Sequence, residues 1–184
     1  MAVRRIVKYG ESILKKKTRK VVYDEIKPKI LEILKDMNDT LQVVNGIGLA
    51  ANQIGIDYQI AIIKFKDKER RKVYDIVIIN PQIILGEGEM IEDEGCLSFP
   101  GLFAPIKRYE RVVVRALNEK GIPVEIKGEG LLARALQHEI DHLNGIVFID
   151  HLPFTSRLKL KPALIKLKRQ WKKIDETNLK PEIM

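Results

Sequence analysis

One five-residue stretch constrains this chain more than any other: His138-Glu139-Ile140-Asp141-His142. It lies inside a predicted helix over Glu129 to Asn144, stopped by Gly145. Four residues make about one helical turn, so both imidazoles leave the same face and can share one metal ion. Glu139 stands beside such an ion rather than on it, where it can take a proton from a water the metal polarises. The bland alternative is a surface helix that happens to carry two histidines and two acids. The chain has only 3 histidines, and two at this spacing around a glutamate favour the metal site.

A catalytic site of this kind needs a third protein ligand and leaves one position for water. Downstream candidates fit poorly. In the pattern H-x-x-G-x-x-H the glycine is present as Gly145, but Phe148 stands where the third ligand belongs. His151 follows a predicted strand, Ile146 to Ile149, and has no helical register with the pair. Glu176 and Glu182 lie beyond a long basic segment. Upstream, Glu94-Gly95-Cys96-Leu97-Ser98 offers a thiolate, a strong ligand, with a small residue before it that lets backbone approach a metal closely. A lone cysteine is most often a buried small hydrophobe. Beside an incomplete H-E-x-x-H site, Cys96 reads as the ligand. A third cluster, Gly46-Ile47-Gly48-Leu49-Ala50-Ala51-Asn52-Gln53, lacks the Lys-Ser/Thr of a phosphate loop and taken singly reads as a loop packed against another backbone.

The 184 residues are 45% hydrophobic and 32% charged, as expected of one globular domain over 1–184 with a real core. A single cysteine excludes an internal disulfide framework and a multi-cysteine zinc finger. No apolar run approaches the roughly 18 to 20 residues of a membrane span. The first residues lead into no signal-peptide apolar region and are not Ser-rich, so a cytoplasmic protein is expected.

Periodicity predicts a helix over Glu25 to Val44, with Ile26, Ile30, Ile33, Leu34, Met37, Leu41 and Val44 on one stripe. Asp24 is its expected N-cap, Pro28 fits its first turn, and Asn45-Gly46 ends it. Strands are predicted over Gln59 to Phe65 and Val73 to Ile79, across a charged turn at Lys66 to Lys72. Asn80-Pro81 is expected to end the second, with Gln82 to Leu85 resuming it. Arg111 to Ala116 and Pro123 to Lys127 read as a hairpin. Strands lie between helices without strict alternation. The expected class is therefore α+β, with mixed or antiparallel sheets around a central H-E-x-x-H helix and with N- and C-terminal helices.

The formal net charge is +8, and its location matters. Arg157 to Lys173 holds eight basic residues and no acid, so the rest of the chain is electrostatically balanced. This segment reads as a basic helix over 157–174 with Pro162 in its first turn or at a kink, followed by a flexible tail over 175–184. Leu160, Leu164, Leu167 and Trp171 can form one apolar face.

Taken in order, G-x-G-L-A-A-x-Q, E-G-C-L-S and Q-H-E-x-D-H-L-x-G resemble the peptide deformylase family, over roughly Ile6 to Leu152. The resemblance implies a metal-dependent amidase that removes the N-formyl group from the formyl-methionine of new bacterial polypeptides and releases formate. By the same resemblance Cys96, His138 and His142 match the metal ligands and Glu139 the general acid/base. Gln53 and the backbone N–H of Leu97 match the groups that face the oxyanion. Ile47 and Gly48 match the backbone strip that pairs with substrate. The implied ion is Fe2+, replaceable by Zn2+, Ni2+ or Co2+. The first side chain of the substrate is expected against the metal helix, Ile47 and the loop before Cys96 with Gly95, and Leu131 and Arg134 upstream of His138 line the slot, Arg134 by its aliphatic stem while its charge reaches water. Phe103 occupies a loop position after the E-G-C-L-S motif where some members carry a basic residue. The resemblance implies docking to the ribosome through the basic C-terminal helix, the alternative being a packing helix with a solvated outer face, and no membrane or DNA partner is expected. Asp141 has Arg108 as a possible partner or remains solvated. A zinc peptidase of another family would leave the first two motifs idle, and a nucleic-acid module would explain the basic tail alone.

Overall fold

A computed structural model describes residues 3–68 and 70–178, with side chains to residue 171. After a single 3-10 turn at Ser12–Lys15, helix α1 spans Tyr23–Val44. Strands β1 (Gly48–Ala50), β2 (Ile60–Asp67) and β3 (Lys72–Glu87) follow. Then come β4 (Met90–Gly95), β5 (Phe103–Arg108), β6 (Arg111–Leu117) and β7 (Pro123–Glu129). Helix α2 covers Leu131–Leu143 and helix α3 Phe154–Asn178. The sheets are antiparallel: five strands in the order β1-β2-β3-β6-β7, and the separate pair β4-β5. The α+β expectation holds.

Strand β2 shows why the two large helices lie where they do. Its first four residues, Ile60, Ala61, Ile62 and Ile63, are all fully buried. Side chains alternate across a strand, so a run apolar at every position is covered on both faces. Ile60 and Ile62 pack with Ile26, Ile30, Leu34, Met37 and Leu41 of α1. Ala61 and Ile63 pack with Leu132, Leu136, Ile140 and Leu143 of α2. Full burial of each such aliphatic side chain contributes roughly 1.5–3 kcal/mol. A third cluster joins Val7, Leu14, Phe99, Ile106, Phe148 and Leu164, tying α3 to the small sheet.

Several local expectations need correction. The residue before α1 is Val22, with no side-chain cap, and Asp24 lies inside the first turn, where its charge favours the helix N-terminus. Pro28 lies beyond the first turn, inside the helix. Asn45 ends α1 in the left-handed region, at φ 52°, as the stop signal requires. Asn80-Pro81 does not end β3. The strand runs on through a register shift between Ile79 and Gln82. Asn80, at φ 51°, turns its side-chain amide to both the N–H and the carbonyl of Val21 at 2.8 Å. Ile146 to Ile149 is no strand: a 3-10 turn occupies Phe148–His151. Pro162 lies in the interior of α3 rather than in its first turn. Phe103 opens strand β5 instead of sitting in a loop. Strands β1, β4 and β5 were not predicted. The expected tail begins inside α3 as far as Asn178, and 179–184 lies outside the described residues.

Candidate metal centre and active site

Helix α2 is held along one flank by the sheet, which fixes the direction in which His138 and His142 project. The two Nε2 atoms lie 3.2 Å apart, and Cys96 Sγ lies 3.2 Å from His142 Nε2. All three potential ligand atoms fall within 4.8 Å of one another. Cys96 arrives from the end of β4, so strand and helix each deliver part of the set. The donors fit a divalent ion on chemical grounds. His138 Nδ1 faces Glu94 Oε1 at 2.6 Å, which places the ring proton on Nδ1 and leaves the Nε2 lone pair toward the centre. Two imidazole nitrogens and a sulfur that converge within 4.8 Å form the donor set suited to an ion with mixed N/S preference.

The charges around this point are strongly organised. Burial raises the Glu94 carboxyl, but hydrogen bonds from His138 and Arg108 outweigh it and hold the group at about 2. Arg108, itself buried, grips Glu94 with Nε at 3.1 Å and a terminal nitrogen at 2.7 Å, and pairs with Asp141 through the other. Asp141 is therefore paired rather than solvated. His151 Nε2 completes the group 2.6 Å from Asp141 Oδ2. Although burial opposes it, the imidazoles of His142 and His138 draw the Cys96 thiol well below its usual range. Burial pushes Glu139 up to about 7, against the pull of His138 and His142.

Glu139 stands against strand β1. A Cβ added at Gly48 would lie 2.3 Å from Glu139 Oε1, so only glycine admits the carboxylate here. Oε2 is buried and has no hydrogen-bond partner among the described residues. Glu139 lines a cleft of ≈ 570 Å³ together with Ile47, Gly48, Gln53, Gly95, Cys96, Leu97, Leu131, Arg134 and His138. Of the site residues expected from the sequence, only His142 is not part of that lining; it lies beneath, buried.

Gln53 is fixed by its own backbone neighbourhood. Its Oε1 accepts the Ala50 N–H at 2.9 Å, which turns Nε2 toward Cys96 Sγ and Ser98 Oγ, both at 3.4 Å. Arg134 departs from expectation in one respect: its guanidinium is held by the Asp93 carbonyl at 2.7 Å and by Glu92 instead of reaching free into water. Phe103 lies over Gly95, where a Cβ would come within 2.5 Å of its ring.

Several residues escaped the sequence reading. Asn52 donates to the His142 carbonyl at 2.6 Å. Glu94 was within a motif but had no role. Its signal was chemical: a ligating histidine usually gives its second ring N–H to an acceptor, as His138 does, whereas His142 Nδ1 has no partner among the described residues. Arg108 was read only as a partner for Asp141, and its grip on Glu94 had a geometric signal. Ala104, Ile106 and Arg108 form the buried face of β5, and period-two alternation places that arginine inward.

Comparisons with known proteins agree with this geometry. The polypeptide deformylase family profile matches residues 3–157. The peptide deformylase of Elusimicrobium minutum (strain Pei191) is 49% identical over 175 residues, covering 93% of this chain and 99% of that one. The crystal structure of a peptide deformylase from Legionella pneumophila superposes with TM-score 0.79 at 40% identity, covering 98% of this chain and 100% of that one. A class I type b peptide deformylase from Acinetobacter baumannii, solved with Met-Ala-Ser bound, gives TM-score 0.75 at 32% identity over 83% of this chain and 100% of that one. The chain belongs to the polypeptide deformylase family, hydrolases that remove the N-formyl group from nascent peptides.

Proposed function

We propose that Cys96, His138 and His142 hold one divalent ion and that Glu139 is the general acid/base of formamide hydrolysis. One observation carries this reading: a thiol and two imidazole nitrogens converge within 4.8 Å beside a buried carboxylate oxygen that has no partner among the described residues. Fe2+ is the physiological ion in this proposal, with Zn2+, Ni2+ or Co2+ able to replace it. When bound, the ion supplies Lewis acidity, which lowers the pKa of water and polarises a carbonyl oxygen.

The remaining steps belong to the protein. Glu139 takes the proton of the attacking water and gives it to the amine nitrogen as the C–N bond breaks, which yields formate and a free N-terminus. A carboxyl pushed up to about 7 suits a group that must both accept and release a proton near neutrality. Gln53 Nε2 and the Leu97 N–H donate to the oxyanion that forms as water adds, a role in which loss of one donor typically costs about 10² to 10³ in rate. Gly48 and Ile47 offer backbone groups to the peptide, and Gly95 makes room for the Phe103 ring in the cleft wall. Ile47, Leu131 and the stem of Arg134 make an apolar slot for an unbranched methionine. The Acinetobacter baumannii enzyme solved with Met-Ala-Ser bound supports a methionine-headed peptide as the ligand.

We place the enzyme in the bacterial cytoplasm, as one catalytic domain over 1–184. Among the described residues no helix is long and apolar enough to cross a membrane. The basic helix is proposed to dock the enzyme at the ribosome, where formylated chains emerge.

Protein prepared without oxygen should carry iron and release formate from formyl-Met-Ala-Ser. Formyl-Asp-Ala-Ser should react at least about tenfold more slowly. Equal rates on the two peptides would reject the methionine slot, and full activity in chelated, metal-free protein would reject the metal site.

A further inference from the structure

Lys8 belongs to none of the sequence motifs, yet it lines the same cleft and its ammonium reaches the backbone beside Cys96. Nζ donates to the Leu97 carbonyl at 2.9 Å. That oxygen is one end of the Leu97–Ser98 peptide. At the other end the Ser98 N–H donates to Cys96 Sγ at 3.4 Å. A single planar amide thus carries a cation on its oxygen and a ligand sulfur on its N–H. Polarising the carbonyl strengthens donation from the N–H, as in any chain of hydrogen bonds.

The surroundings hold the lysine in this position. The Val7 N–H donates to the Gln53 carbonyl at 2.8 Å, and the Tyr9 N–H to the Ser98 carbonyl at 3.0 Å. The Lys8 N–H itself donates to Glu11 Oε1 at 2.7 Å. Helix α3 closes the arrangement from outside. Nζ lies 4.8 Å from the centre of the Trp171 ring, and the stem of Lys168 lies against Gly10, 3.0 Å from where a Cβ would stand. Burial lowers the Lys8 pKa, while the charge of Cys96 pulls it back up. A partly desolvated ammonium is costly unless it is paired. Here its partners are a carbonyl and an aromatic face, with the charge of Cys96 acting through space.

We propose that Lys8 is a positioning residue for deformylation: it fixes the Leu97–Ser98 peptide and stabilises negative charge on Cys96, while Trp171 covers it and makes the C-terminal helix part of the site. The proposal rests on Cys96 being a metal ligand. Electrons on a sulfur beside a cation lie lower in energy, so their transfer to a bound metal requires more energy. Removing the cation moves the thiolate-to-metal charge-transfer band to longer wavelength. Trp171→Ala admits water to the ammonium and moves the band the same way by less, because the charge is screened rather than lost.

The test uses the full chain loaded with Co2+, as wild type, Lys8→Gln, Lys8→Met, Lys8→Arg and Trp171→Ala. Absorption spectra are recorded beside kcat and KM on formyl-Met-Ala-Ser. Lys8→Gln and Lys8→Met should show the red-shifted band, with kcat down about tenfold, as expected for loss of a charged hydrogen bond, and KM within about twofold of wild type. Lys8→Arg should restore most of both. Should Lys8→Met fail to fold, Lys8→Gln and Trp171→Ala still decide the matter. An unmoved band in Lys8→Gln overturns the proposal whatever happens to the rate. Absence of any such band in the wild type would instead overturn the ligation of Cys96, and this proposal with it.

Discussion

At Gly48 the backbone of β1 and the carboxylate of Glu139 leave no space for a methyl group, since an added Cβ would fall 2.3 Å from Oε1. Neither side yields easily. Gly48 sits in a strand paired with Ile63 of β2, and Glu139 is on a buried turn of α2. Gly48→Ala must therefore push the carboxylate aside while the three metal ligands stay where they are. The expected outcome is a fall of about 10² in kcat/KM with metal content unchanged, because a displacement of about 1 Å suffices for such a loss. Formate-release kinetics and metal analysis on the same preparation check this, and near-normal kinetics would show that the carboxylate has another place to stand. The same contact explains why the glycine cluster could not be interpreted alone. Its close backbone approach is to a side chain that lies ninety residues later, and nothing local announces that partner.

Among the elements, those with a strong period were legible and those without one were not. Helices α1 and α2 carry unbroken apolar stripes, and the β6–β7 hairpin is marked by alternation and a polar turn. Strand β4 reads Met-Ile-Glu-Asp-Glu-Gly, with three acids in a row, and β5 contains Pro105. Only pairing with each other makes them strands. The apolar run through Ile149 could have been strand or helix, since full burial removes periodicity from both; packing against Phe99 and Leu164 decides it. At the site, the histidine pair and Cys96 were legible because ligand chemistry restricts residue type and spacing. Lys8 was not, because a lone lysine is a surface residue by default. The expected apolar face of α3 is the one turned inward: Leu164 is buried, and Leu160, Leu167 and Trp171 are partly so. Leu164→Ala should lower unfolding free energy by about 2–3 kcal/mol in urea titration, through a cavity in the third cluster. A change under about 0.5 kcal/mol would mean that α3 is not packed on the body in solution.

For the whole molecule, charge is segregated rather than spread. Arg157, Lys159, Lys161, Lys166, Lys168 and Arg169 are all exposed on α3, while Glu94, Arg108 and Asp141 near the metal centre are paired in the interior. The helix thus serves two faces, one packed toward Lys8 and the third cluster and one presenting cations to solvent. If the outer face meets ribosomal RNA, binding must fall steeply with salt through counterion release. Full-length enzyme should co-sediment with ribosomes at low salt, and the triple variant Lys161→Gln, Lys166→Gln, Arg169→Gln should do so several-fold less while keeping its rate on formylated tripeptides. Equal sedimentation of both would leave α3 a packing element with a solvated outer face.

The central claim is that Glu139 moves the proton at a metal centre built from Cys96, His138 and His142. It is tested most directly by formate release from formyl-Met-Ala-Ser, measured on wild type and Glu139→Gln at matched metal content. The glutamine keeps the shape of the side chain but cannot accept a proton. The account predicts that metal stays bound at the wild-type ratio while kcat falls by about 10² or more. Turnover within a few-fold of wild type in the fully metal-loaded variant would contradict it.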